Sequence, residues 1–153
     1  MKRFIALAFF LIALTAAATA QNTEAKPAAS APPSGANDAA AREATEKLVA
    51  KYTLNADQSK EMYTIQLRKL RNRASFASLE TTNRSLYLSK LESLQKGTLS
   101  SIRRILRTKE QVELYQKTQS EVRNQRAVKR KELTGQNISK DDMQAAMLDI
   151  YSE

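Results

Sequence analysis

The sequence predicts an all-α chain, and three observations carry that reading. All three prolines lie before residue 34, so from Asn37 to Glu153 every residue keeps its backbone donor. Leu, Gln, Arg, Lys, Glu and Ala dominate that stretch, with Gly97 and Gly135 its only glycines. Its apolar residues recur at steps of three and four, and no hairpin turn or alternating run interrupts them. The expected architecture is four to five helices, built as long helical hairpins into a thin curved layer.

The elements are read in chain order. Met1-Lys2-Arg3 is a short basic stretch, Phe4 to Leu14 is uninterrupted apolar sequence, and Ala18-Thr19-Ala20 offers a small-x-small cleavage pattern. The apolar core is shorter than the roughly 20 residues of a spanning helix, so residues 1–20 read as a secretory signal cleaved after Ala20. Residues 21–36 hold all the prolines and little that can bury a core, and they read as a disordered Ala/Pro/Ser tether.

Capping chemistry marks the helices. Asn37-Asp38 starts a first helix to about Lys51. Asn55-Ala56-Asp57-Gln58 is a capping box, with Leu54 just outside, and opens a second helix to about Glu80. The Thr81-Thr82-Asn83 cluster is a turn or cap before a third helix through Leu106. Thr108-Lys109-Glu110-Gln111 is another capping box, and the helix it opens ends near Thr134-Gly135. Ser139 caps a last helix, with Asp141 and Asp142 suiting the dipole of its first turn, and residues 135–153 are expected to be that short helix and its lead-in.

Apolar stripes follow these boundaries. The second helix carries Met62, Ile65, Phe76 and Leu79, beside Tyr63, Leu67, Leu70, Ala74 and Ala77. The third carries Leu88, Leu91, Leu94, Ile102 and Ile105, the fourth Val112, Leu114, Tyr115 and Val122, and the last Met143, Ala146, Met147 and Ile150. Core packing is the ordinary use of such stripes. Lys69, Asn72 and Arg73 interrupt the second helix's stripe, and Gln95 and Thr98 the third's. Helices of about 26 residues, roughly 39 Å long, with this little aromatic content leave amphipathic surface open. Such surface is commonly covered by two-fold pairing, so a homodimer is expected.

Composition narrows the chemistry. The 153 residues include no Cys, no His and no Trp. Thiol chemistry, disulfides, a Ser-His-Asp triad and imidazole or thiolate metal sites are therefore absent. Three glycines cannot supply a phosphate-cradling loop. No enzyme, no cofactor and no metal site is expected.

Charge is uneven. Residues 41–133 hold 21 basic and 10 acidic side chains, whereas residues 134–153 hold Lys140 against Asp141, Asp142, Asp149 and Glu153. Basic clusters fall at Arg68 to Arg73, at Arg103, Arg104 and Arg107, and from Arg123 to Lys131. A solvated face explains any one of them. Three on three helices, interleaved with apolar residues, favour a positive, partly apolar surface. Nucleic acid would suit it electrostatically, but an exported chain meets little of it and its tyrosines are too dispersed for base stacking. Anionic lipid could meet Lys129-Arg130-Lys131, though no second apolar run offers stable membrane insertion. Unfolded or acidic polypeptide is the third partner class, captured by long-range attraction and held by scattered apolar patches.

Leu54-Asn55-Ala56-Asp57-Gln58 resembles the LTxxQ motif of the Spy/CpxP-like family of periplasmic helical stress proteins, with Asn in the Thr position. Thr108-Lys109-Glu110-Gln111 looks like a second copy, with Arg107 directly before Thr and the leucine displaced to Leu106. The resemblance spans about residues 52–134, and residues 139–153 have no counterpart in it. It implies a periplasmic, ATP-independent holdase forming an antiparallel, cradle-shaped dimer around unfolded envelope proteins. Leu67, Arg68, Leu70, Arg71 and Arg73 would then be client contacts. The alternative it suggests is an envelope-stress regulator docking on the sensor domain of a membrane kinase; metal sensing, known in some relatives, has only scattered carboxylates to rest on.

Overall fold

The structure, a computed structural model, describes residues 34–153. The signal peptide and most of the tether read from the sequence lie outside the described residues. Six helices follow one another: α1 (Ser34–Tyr52), α2 (Ala56–Ser75), α3 (Leu79–Thr82), α4 (Arg84–Ile105), α5 (Lys109–Leu133) and α6 (Lys140–Asp149). No strand occurs among the described residues, and none of these helices is long and apolar enough to cross a membrane. The all-α class is as the sequence predicts.

Three boundaries differ from expectation. α1 begins at Ser34, so Ser34, Gly35 and Ala36 belong to the helix and not to the tether. Asp38 does not cap it. Its carboxylate accepts from Arg42 Nε at 3.2 Å and from the Tyr63 hydroxyl of α2, which with Arg42 holds it below the usual carboxylate range. α2 stops at Ser75 instead of reaching Glu80. The side chains just there bond back to their own backbone: Ser75 Oγ donates to Asn72 O at 2.8 Å, and Thr82 Oγ1 to Ser78 O at 2.9 Å. Such local bonds compete with the helix ladder, and Phe76 turns in to meet Tyr87 edge-on at 5.8 Å. The single turn of α3 follows, and Asn83 caps α4 by accepting from Leu86 N at 3.1 Å. Finally, the last helix ends at Asp149, leaving Ile150 to Glu153 non-helical.

Two apolar cores hold these helices. The first joins Leu48 and Tyr52 of α1, Leu54, Met62 and Ile65 of α2 and its entry, and Ile102, Ile105 and Leu106 of α4 and its exit. Val112 and Tyr115 of α5 pack against it, so four helices meet at this end. The second core lies at the other end of α2 and α4, where Phe76, Tyr87 and Leu88 enclose Leu148 of α6. α6 packs back onto its own chain, against α4 and α5, but through Met147 and Leu148; Met143, Ala146 and Ile150 of the expected stripe are only half-buried.

Tyr52 is 1% exposed and its hydroxyl makes no well-formed hydrogen bond. Burial, opposed only in part by the Thr118 hydroxyl, pushes the phenol up to about 12. An unfolded phenol ionises near 10. The fold holds the phenol protonated, so the hydroxyl leaves stability independent of pH below about 10 and lowers it as pH rises toward 12. Tyr52→Phe removes a desolvated, unpartnered group and is expected to raise stability by about 1 kcal/mol at pH 7 and to reduce the alkaline loss. Urea unfolding at pH 7 and pH 11 checks both; a marked loss at pH 7 would mean that the hydroxyl is well bonded.

Candidate functional site

Both capping boxes form as the sequence predicts, and the fold brings them together. Asn55 is extended (φ −76°, ψ 176°) and its Oδ1 accepts from Gln58 N at 2.9 Å, while Asn55 N donates to Gln58 Oε1 at 3.0 Å. Thr108 Oγ1 accepts from Gln111 N, and Thr108 N donates to Gln111 Oε1, both at 3.2 Å. The two glutamines then bond to each other. Gln58 Nε2 donates to Gln111 Oε1 at 2.9 Å, and Gln111 Nε2 to Gln58 Oε1 at 3.2 Å.

Each amide has one N–H left, and each reaches a carbonyl on another segment. Gln58 Nε2 donates to Ile105 O, the last residue of α4, at 2.7 Å. Gln111 Nε2 donates to Thr53 O at 3.3 Å, just after α1. Thr53 holds φ 49°, a left-handed conformation that costs a β-branched residue strain, so the bond fixes a turn that would otherwise relax. Gln111 Oε1 also accepts from Arg107 N at 2.9 Å. Gln58 and Gln111 are 2% and 6% exposed, and every polar atom of both amides is used. Leu54 and Leu106 are buried together in the first core beside them. This junction consumes its hydrogen-bonding capacity internally and offers none to a ligand.

A groove of about 650 Å³ runs between α2 and α4. Arg68 and Lys69 line it from α2, and Lys90 and Arg104 from α4, over the apolar side chains of Phe76 and Leu94. No acid is among the lining residues. Arg68 Nη2 and Arg104 Nη2 both donate to Ser101 Oγ, at 3.0 and 3.1 Å, and that hydroxyl donates to Gly97 O at 2.9 Å. The two guanidinium groups are thus held side by side by a neutral acceptor, with donors left to face solvent. Among the described residues, Lys69 alone of the four cations forms an ion pair, with Glu153 at 2.7 Å.

The sequence-derived client residues do not share one face. Arg68 lines this groove. Arg71 is exposed toward α1, close enough for its charge to act on Asp38 and Tyr63. Arg73 is exposed, and Leu67 and Leu70 are half-buried. On the α4 side, Arg104 belongs to a basic cluster and Leu94 to an apolar stripe in the sequence, whereas Lys90 and Ser101 carry no signal of their own. The heptad-like stripe Lys90, Leu94, Gly97, Ser101 and Arg104 mixes polar and apolar residues, so that it does not stand out as a face.

Replacing Gln111 by Leu strips partners from buried atoms of Gln58, Arg107 and Thr108 at once and should cost about 3 kcal/mol. Gln58→Leu should cost a similar amount. The double variant should lose less than the sum, with a coupling of about 1–2 kcal/mol, because each single change orphans the other amide. Urea unfolding of the four proteins measures this, and strict additivity would rule out the reciprocal pair.

Comparison of the chain with protein-family models, with characterised proteins and with solved structures finds no match.

Proposed function

We propose that this chain is an ATP-independent holdase of the Spy/CpxP-like kind, acting in the periplasm after cleavage near Ala20 and binding unfolded or acidic polypeptides. The observation that carries the reading is the groove between α2 and α4, where Arg68, Lys90 and Arg104 stand without acidic partners beside Phe76 and Leu94. Unpaired cations attract acidic segments over a distance of about 10 Å at 0.1 M salt. The apolar floor then retains whatever nonpolar side chains the segment carries, with little demand on sequence. Leu86, Leu114 and Val128 add exposed apolar surface outside the groove. The doubled motif supports the family resemblance in a physical sense, since its role is to fix helix entries and not to perform chemistry. An antiparallel dimer would align two such grooves into one longer cradle.

The test is light scattering from a denatured acidic client diluted into buffer without nucleotide. Near-stoichiometric protein should suppress aggregation, and Arg68→Gln with Arg104→Gln should weaken suppression several-fold, as should 0.5 M salt. Unchanged scattering at several-fold molar excess of protein would end this reading. Retention of one stoichiometric, salt-sensitive envelope protein in place of varied clients would favour the kinase-docking regulator.

A further inference from the structure

The segment after α6 is bound as a ligand would be. At Ile150 the chain leaves helical geometry (φ −83°, ψ 88°) and runs without secondary structure through Glu153. Its main-chain carbonyls find side chains, not other backbone. Arg126 Nε donates to Ile150 O at 2.9 Å, Gln119 Nε2 to Ser152 O at 3.1 Å, and Lys51 Nζ to Glu153 O. Bonds of this kind hold a backbone without reading which residue it belongs to.

One side chain is read specifically. Gln66 Nε2 donates to Glu153 Oε2 at 2.7 Å, and Lys69 Nζ pairs with Glu153 Oε1 at 2.7 Å. The Tyr151 hydroxyl donates to the same Oε1 at 2.7 Å. The Glu153 side chain is 9% exposed. Gln66 is wholly buried, and its own Oε1 has no partner. The amide therefore turns its N–H group toward the carboxylate while its carbonyl goes unsatisfied, an arrangement with no purpose in an apolar core. The receiving groups come from three helices: Lys51 from α1, Gln66 and Lys69 from α2, and Gln119 and Arg126 from α5. Their convergence is a product of the tertiary fold.

We propose that this cleft among α1, α2 and α5 is a binding site for an extended acidic segment of another polypeptide, and that residues 150–153 fill it in cis as a stand-in. The inference deepens the holdase reading and takes its class of partner from it. The occupant's chemistry is given by the stand-in: an extended backbone carrying a Glu or Asp side chain that Gln66 and Lys69 receive. A tethered occupant competes at an effective concentration in the millimolar range, so a segment from outside binds well only when the tethered one is weakened. The basic groove adjoins the cleft through Lys69, which lines the first and pairs with Glu153 in the second.

The experiment is fluorescence anisotropy of a labelled, C-terminally amidated peptide, Leu-Asp-Ile-Tyr-Ser-Glu, titrated with full-length protein. Glu153→Gln should bind it at least tenfold more tightly than the unaltered chain. Adding Lys69→Gln should abolish that gain, as should Gln in place of the peptide's Glu. Equal affinity for the unaltered and Glu153→Gln proteins overturns the proposal. So does a dimer that forms in the unaltered protein and is lost in Glu153→Gln, because the tail's partner would then be a second copy. If Glu153→Gln loses helical content, recovery of that signal on adding peptide reads the same contact, and no recovery counts against the site. Tighter peptide binding without aggregation suppression would remove the holdase reading and leave the cleft; suppression with equal peptide affinities would do the reverse.

Discussion

Two glutamine side chains, Gln58 and Gln111, hold the helix junctions of this protein in register. Each closes the capping box of its own helix, and each spends its remaining donors on the other and on a carbonyl of a third segment. In one place the pair ties together the exit of α1, the entry of α2, the exit of α4 and the entry of α5. A helix cap is ordinarily a local device that satisfies one or two end groups. Here it is also a tertiary contact, because the primary amide has both a donor and an acceptor to share and is buried where water cannot take either. The first apolar core, with Leu54 and Leu106, is built around this point.

The distribution of charge follows from where acids are spent. Asp38, Glu43, Glu92 and Glu113 pair with Arg42, Lys47, Lys96 and Lys109 one helical turn away on the same helix. Exposed pairs of this kind add little stability. They do commit those acids locally, and so the cations of the α2–α4 groove have few acids within reach. Packing those cations together is electrostatically unfavourable. Arg68 and Arg104 tolerate it through Ser101, whose oxygen accepts from both.

Two of the polar residues that interrupt the apolar stripes, Lys69 and Gln95, acquire a common explanation. Lys69 receives Glu153, and Gln95 Nε2 donates to Leu148 O at 3.0 Å. Thr98 satisfies its hydroxyl on Leu94 O and remains buried. Two of these breaks in hydrophobic pattern are therefore anchor points for α6 and the segment after it. That segment covers interior surface that the four longer helices would otherwise leave open, and it does so with hydrogen bonds as much as with apolar contact.

The all-α class, the order of the longer helices and the chemistry of most helix ends are legible in the residues alone. Proline exclusion, periodicity and the side chains of Asn55, Thr108 and Ser139 act within one helical turn, so they are legible without a fold. The sequence also displays two similar motifs, but not that their glutamines face each other, since a contact spanning 53 residues leaves no local trace. The early stop of α2 is hidden in the sequence because Phe76 follows the same period as the helix before it; packing against Tyr87, together with the local bonds of Ser75 and Thr82, draws it out of line. Arg68 and Arg104 are both legible as members of basic clusters, but with Lys90 they become a groove only when α4 is laid beside α2. The cleft that holds Glu153 was decided wholly by tertiary structure. Its donors come from α1, α2 and α5, and a binding site assembled from distant segments is a property of their arrangement in space, which no single stretch of sequence encodes.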